Sequence, residues 1–224
     1  MIRLEGVTKR YPAAGGWKVV ADNISVTIPS GVSLGLLGRN GAGKSTLLGM
    51  IAGSINPDRG RIVTDGTISW PVGFAGSFHR DLTGLQNTRF VARVYGVDSD
   101  ELVAFVEDFA ELGRHFHMPV RTYSSGMKSR LSFAISMGIR FDTYLVDEVT
   151  AVGDAAFKTK SRLVFLERMR ESGAIVVTHS PKMVRQLCDV AAVLENGKLT
   201  IYDDIEEAIA AHRANTGGDP EDDD

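Results

Sequence analysis

The sequence predicts an α/β fold with an inserted helical lobe, and three observations carry that prediction. First, Val32 to Leu37 is a short, nearly continuous apolar run that leads into a glycine-rich loop and then the apolar stretch Thr46 to Gly53. That order is strand, loop, helix, and the run has the composition of a strand buried on both faces of a parallel sheet. Second, core-type strands return at Tyr144-Leu145-Val146 and at Ala174-Ile175-Val176-Val177, separated by a helix through Leu163, Leu166 and Met169. Third, three amphipathic helices lie between the two strand regions, over about residues 84 to 140.

Before the loop, Ile24, Val26 and Ile28 alternate with Ser25 and Thr27, and Pro29-Ser30-Gly31 supplies a turn, so the first segment reads as antiparallel strands. Asn56-Pro57-Asp58-Arg59-Gly60 is turn chemistry, and from there to about Gly84 the chain has no clear period. Thr83 and Gln86 have the spacing of a helix capping box, with Val91, Val94 and Tyr95 following on one face. Leu102, Phe105, Val106, Phe109 and Leu112 mark the second helix of the lobe. Met127, Leu131, Ile135 and Ile139 recur every four residues after Tyr123-Ser124-Ser125-Gly126 and mark the third. Near the end, Asn196-Gly197 between two strand-like runs is a two-residue hairpin signal. Asp204 and Glu207 then cap a last short helix.

A chain of 224 residues, 43% hydrophobic and 24% charged, can bury one sizeable core with an inserted lobe. No internal repeat or linker divides it, so a single domain is expected over residues 1 to 215, followed by an acidic, disordered tail at 216 to 224. The stretch from Asp219 holds five of the 28 acids; without it, 25 bases face 23 acids. A near-neutral body with no basic block gives no support for nucleic-acid binding, and no nucleic-acid partner is expected. No stretch approaches the ~18 consecutive apolar residues of a membrane-spanning helix, and the first residues lack a signal-peptide pattern. The expectation is a cytoplasmic chain that meets a membrane only through a partner. Cys188 has no second cysteine to pair with and sits in an apolar run, as a buried small residue rather than a reactive thiol would.

Gly38-Arg39-Asn40-Gly41-Ala42-Gly43-Lys44-Ser45 matches the phosphate-loop pattern G-x-x-x-x-G-K-S in full, after a strand and before a helix. Glycines let the backbone curl so that successive N–H groups point at phosphate oxygens, and the helix that follows, with Thr46 in its first turn, adds the positive end of its dipole. Lys44 is placed to reach the β- and γ-phosphates of ATP, and Ser45 to ligate Mg²⁺. Thr143-Tyr144-Leu145-Val146-Asp147-Glu148 is an apolar strand ending in two carboxylates. At such an edge Asp147 can hold the metal, through water, while Glu148 polarises an attacking water.

Tyr123-Ser124-Ser125-Gly126-Met127 resembles the signature of the ABC ATPases, usually written L-S-G-G-Q, and lies upstream of the Asp-Glu pair as it does in that family. Read from the residues alone, it is either a helix start that offers N–H groups and hydroxyls to a phosphate or a plain N-cap by Ser124 or Ser125. The resemblance extends over roughly residues 1 to 212. It implies that His179, after the last core strand, is the switch histidine at the γ-phosphate. It likewise implies that Asp154 crosses a dimer interface and that Tyr11 stacks on adenine, where a surface-packed edge tyrosine is the alternative. GRNGAGKSTLL, SWPVGF, LTG, RFVARVYG, YSSGMKSRL and DEVTAVGD together look like the ATPase subunits that export capsular polysaccharide from Gram-negative bacteria.

What the resemblance implies is a P-loop NTPase of RecA-like core, with an antiparallel β-subdomain and an inserted helical lobe. It further implies a head-to-tail pair of copies with ATP between the phosphate loop of one and the signature of the other. The remaining expected partners are separate multi-helix membrane permease subunits on the cytoplasmic side of the inner membrane and, through them, a periplasm-spanning co-polymerase. O-antigen or teichoic-acid exporters, and soluble ABC ATPases, are the rival assignments. One departure stands out: the glutamine such ATPases carry ahead of the helical lobe is missing. The region from Ser69 to His79 offers the rings of Trp70, Phe74 and Phe78 instead, with His79 as a guess for the polar role.

Overall fold

The computed structural model describes residues 1–72, 78–147, 155–178 and 180–216. The chain forms two compact units, one of Met1–Pro71, Phe141–Glu148 and Met169–Asp224, the other of Val72–Arg140 and Val149–Arg168.

The first unit holds two sheets. β1 (Ile2–Ala13), β2 (Gly16–Ile28) and β4 (Arg59–Thr64) form an antiparallel sheet in the order β2-β1-β4. The other sheet runs β5-β6-β7-β3-β8-β9, from β3 (Ser33–Leu37), β5 (Ile68–Pro71), β6 (Thr143–Asp147), β7 (Gly173–Val177), β8 (Val190–Glu195) and β9 (Lys198–Tyr202). β5 to β8 pair in parallel with their neighbours, and β9 closes the edge antiparallel to β8. β3 and β7 are buried at every residue, because both faces are covered. On one face, α1 (Lys44–Ile51) and the antiparallel sheet pack Leu47, Leu48, Ile2, Leu4 and Ile24 against Leu34, Leu36, Ile175 and Val177. On the other, α6 (Pro181–Leu187) approaches so closely that a Cβ at Gly35 would lie 2.8 Å from the Val184 side chain.

Two local devices set the edges. Pro71 cannot donate to the ladder, and the β5–β6 register shifts between Ile68 and Pro71; the buried Ser69 hydroxyl accepts from the Leu145 N–H at 2.9 Å and bridges the irregularity. At the other edge, Asn196 and Gly197 both take positive φ, 48° and 79°, the turn geometry whose twist matches a hairpin. Glu195 consequently pairs with Lys198, and Leu194 with Leu199. The Asp204 carboxylate accepts from the Glu206 N–H at the start of α7 (Ile205–Thr216).

The second unit is helical: α2 (Gly84–Tyr95), α3 (Ser99–Ala110), α4 (Ser125–Gly138) and most of α5 (Ala155–Glu171). Thr83 and Gln86 make both bonds of the capping box. Phe109 stacks on Phe105 and Phe133 and meets Phe157 edge-on, with ring centroids 5.5 to 6.0 Å apart. Lys160 lies over Phe109 and donates to the Asp108 and Phe109 carbonyls and to Glu111, so it serves the end of α3, whose own last turn has no basic residue. The buried row of α5 is Phe157, Ser161, Phe165 and Met169, and Leu163, one of the apolar residues that mark this helix in the sequence, is 66% exposed. Phe157, six residues before it, and Phe165, two residues after it, hold core positions instead.

Among the described residues no helix is long and apolar enough to cross a membrane.

Candidate nucleotide site

The site begins where β3 ends. Gly38, Gly41 and Gly43 take φ of 155°, 76° and 110°, so the loop turns through conformations that side chains other than glycine rarely adopt. There is no room for other residues either: a Cβ at Gly38 would lie 2.5 Å from the Leu194 carbonyl oxygen, and one at Gly43 would lie 2.8 Å from the Val20 Cβ. The loop is threaded between β8 and β2. Ala42 N–H donates back to Arg39 O at 3.0 Å, which closes the arch. The Lys44 side chain is buried, and its ammonium donates to Gly38 O at 2.5 Å and to Arg39 O at 3.2 Å, so the charge sits at the base of the loop. Arg39 and Asn40 are exposed. Gly43 caps α1 without a side-chain bond, and Ser45 is exposed in the first turn with Thr46 half-buried behind it.

Strand register brings the second group of residues to the same edge. Leu36 pairs with Val177 and Val177 with Asp147, so β3, β7 and β6 end on one row, with the phosphate loop two residues beyond Leu36. Asp147 is half-buried there. Ser45 and Asp147 are hard oxygen donors, and no group of three or more His, Cys, Asp or Glu is placed to hold a metal among the described residues. One hydroxyl and one carboxylate suit Mg²⁺, which keeps several waters and takes the rest of its shell from substrate phosphates. Glu148, Asp154 and His179 lie outside the described residues.

The register of β1 and β2 separates two faces of their hairpin. Arg10 pairs with Val19, Tyr11 with Lys18 and Pro12 with Trp17. Tyr11, Lys18 and Val20 therefore share one face, and it is the face turned to the loop, since Val20 abuts Gly43 and Lys18 abuts Gly41. Tyr11 is 37% exposed, with the Lys9 ammonium 5.4 Å from its ring centre. Trp17, the larger and more exposed ring, carries Arg10 at 4.5 Å on the opposite face. Lys18 was missed in the sequence, where Lys-Val-Val gives no sign of which residue faces the loop. It also lines a cleft of about 420 Å³ beside the loop, with Arg39, Asn40, Glu195, His212 and Asn215.

In the helical unit, Ser124 is the N-cap of α4 and accepts from Met127 N–H at 3.2 Å, while Ser125 and Gly126 form the first turn. Tyr123 is buried and donates to His115 O at 2.6 Å. Gln86 is spent in its capping box. The His79 backbone is locked to the Asn87 amide, and its Nδ1 accepts from Asp81 N–H, so it serves a turn. Of the three aromatic rings ahead of the lobe, Trp70 meets Phe141 edge-on at 5.5 Å and belongs to the packing of its own unit. Phe78 is half-buried, and Phe74 lies outside the described residues.

Residues 21–151 match the family model described as ABC transporter. The chain is 50% identical, over 95% of its length and 96% of the relative's, to the polysialic acid transport ATP-binding protein KpsT of Escherichia coli. It is 46% identical, over 93% of its length and 96% of the relative's, to the capsule polysaccharide export ATP-binding protein CtrD of Neisseria meningitidis serogroup B. In fold it matches the dimeric structure of a post-hydrolysis state of an ATP-binding cassette bound to ADP and Pi. That likeness has a TM-score of 0.73 at 20% identity and covers 89% of this chain and 96% of that one.

Proposed function

The chain belongs to the ABC transporter family, and on that premise we propose that it is the ATP-hydrolysing subunit of an exporter of lipid-linked capsular polysaccharide. The observation that carries the nucleotide part is the loop itself, whose three left-handed glycines and internal lysine stand at the row where β3, β7 and β6 end. The substrate part is supported by identity of 46 to 50%, over nearly the whole of each chain, to a polysialic acid transport and a capsule polysaccharide export ATP-binding protein.

In this reading the N–H groups of Gly38 to Thr46 cradle the phosphates, Lys44 neutralises the β- and γ-oxygens, and Tyr11 stacks on adenine. Ser45 and Asp147 would hold Mg²⁺, which supplies charge neutralisation on the transferred phosphoryl group. Glu148 takes the proton of the attacking water, and His179 contacts the γ-phosphate. A second copy closes head to tail, bringing Ser124, Ser125 and Gly126 onto the ATP from the far side and Asp154 across the interface. Separate multi-helix permease subunits, which reach a periplasm-spanning co-polymerase, convert that closure into polymer movement, and this chain sits on the cytoplasmic face of the inner membrane through them.

The test is reconstitution of the chain with its membrane partner in vesicles carrying lipid-linked polysaccharide on the outer leaflet. Accumulation of polymer inside that depends on Mg²⁺ and ATP is expected. A complex that hydrolyses ATP but moves no polysaccharide overturns the substrate, and one that hydrolyses none overturns the enzyme.

A further inference from the structure

A second lysine stands at the phosphate loop. Lys18 shares its face of β2 with Val20 and lies across from Tyr11 on β1. Val20 touches the loop at Gly43, and the Lys18 Nζ comes to 3.2 Å from where a Cβ at Gly41 would be. The ammonium therefore lies beside the top of the arch, in the space a side chain at Gly41 would enter, while Lys44 is hydrogen-bonded to its base.

What sets Lys18 apart is that, among the described residues, no hydrogen-bond or ion-pair partner engages its charge. Its neighbours on β1 are engaged: Lys9 donates to Asp58 and to Asn56 O, and Arg10 lies over Trp17. Among the described residues Lys18 makes no hydrogen bond or ion pair, and Glu195, the acid of the cleft that both residues line, forms none with it. An exposed ammonium gains little from being held beside backbone glycine, and the stem loses rotamer freedom there. Its placement makes chemical sense if a polyanion completes the site.

We infer that Lys18 is a second phosphate-binding cation, a positioning residue that draws the polyphosphate of the nucleotide into the loop while Tyr11, opposite it, holds the base. This rests on the nucleotide reading above. It adds that this face of the β1–β2 hairpin, charge and ring together, measures the distance between base and phosphate.

The experiment is binding of ATP, ADP, AMP and adenosine to the purified chain by calorimetry, for the parent, Lys18→Met and Lys18→Arg, at two salt concentrations. Lys18→Met keeps the stem and deletes the charge. It should weaken ATP by roughly three- to tenfold at low salt, ADP by less and adenosine not at all, with the gap narrowing at high salt. Lys18→Arg should restore most of the loss. Unfolding midpoints without nucleotide, equal for all three proteins, separate this from a folding defect. Equal ATP affinity of parent and Lys18→Met, or a loss of the same size for adenosine as for ATP, overturns the inference. A parent that binds no ATP would instead remove the nucleotide reading on which it stands.

Discussion

Two helices of this protein start at small residues, a glycine and a serine, and they treat their first N–H groups in opposite ways. α1 begins at a left-handed glycine with no side-chain cap, and its lysine charge is tucked into the preceding loop. α4 begins at Ser124, whose hydroxyl caps the helix from within. A helix that satisfies its own first turn is stable alone and has less to offer a ligand. One that leaves it to glycines and a lysine has traded local stability for an anion site. The chemistry should accordingly concentrate at α1 and the strand ends beside it, with α4 contributing dipole and shape.

The largest effect that would break this division is at the strand edge. Glu148→Gln keeps the side chain's shape and deletes the base, so ATP hydrolysis should fall ~10²–10⁴-fold while ATP binding persists and a nucleotide-bound dimer accumulates. Phosphate release and gel filtration measure the two; hydrolysis at the parent rate would move the base elsewhere. Next, Lys44→Ala strips the charge from the base of the loop and should cost about 1.5–3 kcal/mol of ATP affinity, the scale of a hydrogen bond to a charged group. Calorimetry showing unchanged affinity would mean that the backbone alone binds phosphate.

Ser124→Ala sharpens the comparison from the other side. It should destabilise the fold by about 1 kcal/mol, the worth of an N-cap, seen as a lower urea midpoint. An unchanged midpoint would say that α4 is held by packing and that Ser124 is kept for the ligand. The smallest effect is expected at Tyr11. Tyr11→Phe should bind ATP as the parent does, and Tyr11→Ala should lose about 0.5–1.5 kcal/mol, whereas equal affinity in all three would hand the base to another group.

The parts of this fold that could be read in advance are those governed by local chemistry. The loop glycines, the Thr83–Gln86 box and the Asn196-Gly197 turn each need particular residues at fixed spacing, and each is found as the spacing requires. β4 and β5 were hidden. β4 is exposed or half-exposed along its length and β5 has four residues, so neither carries an apolar period, and both exist because a neighbour supplies the ladder. α5 misled for the opposite reason: it has apolar residues on more than one face, and only tertiary packing chose Phe157 and Phe165 over Leu163. Around the loop, the places of Lys44 and Asp147 follow from the motif and the strand end, and that of Lys18 does not. Which face of β2 meets the loop depends on register shifts near Val7 and Lys9, which no single-residue preference announces.

Cys188 is the chain's single cysteine; it is buried under Gly35 and its thiol is pushed up to about 12 by burial, with Asp189 adding to the effect. Burial therefore holds the thiolate, the form that reacts with maleimides or disulfides, well below the share of an exposed cysteine. The protein is thus its own cysteine-free background. A reporter cysteine placed at an exposed position away from the loop, such as Val94 or Leu163, can be labelled, spin-tagged or cross-linked without first replacing the native one.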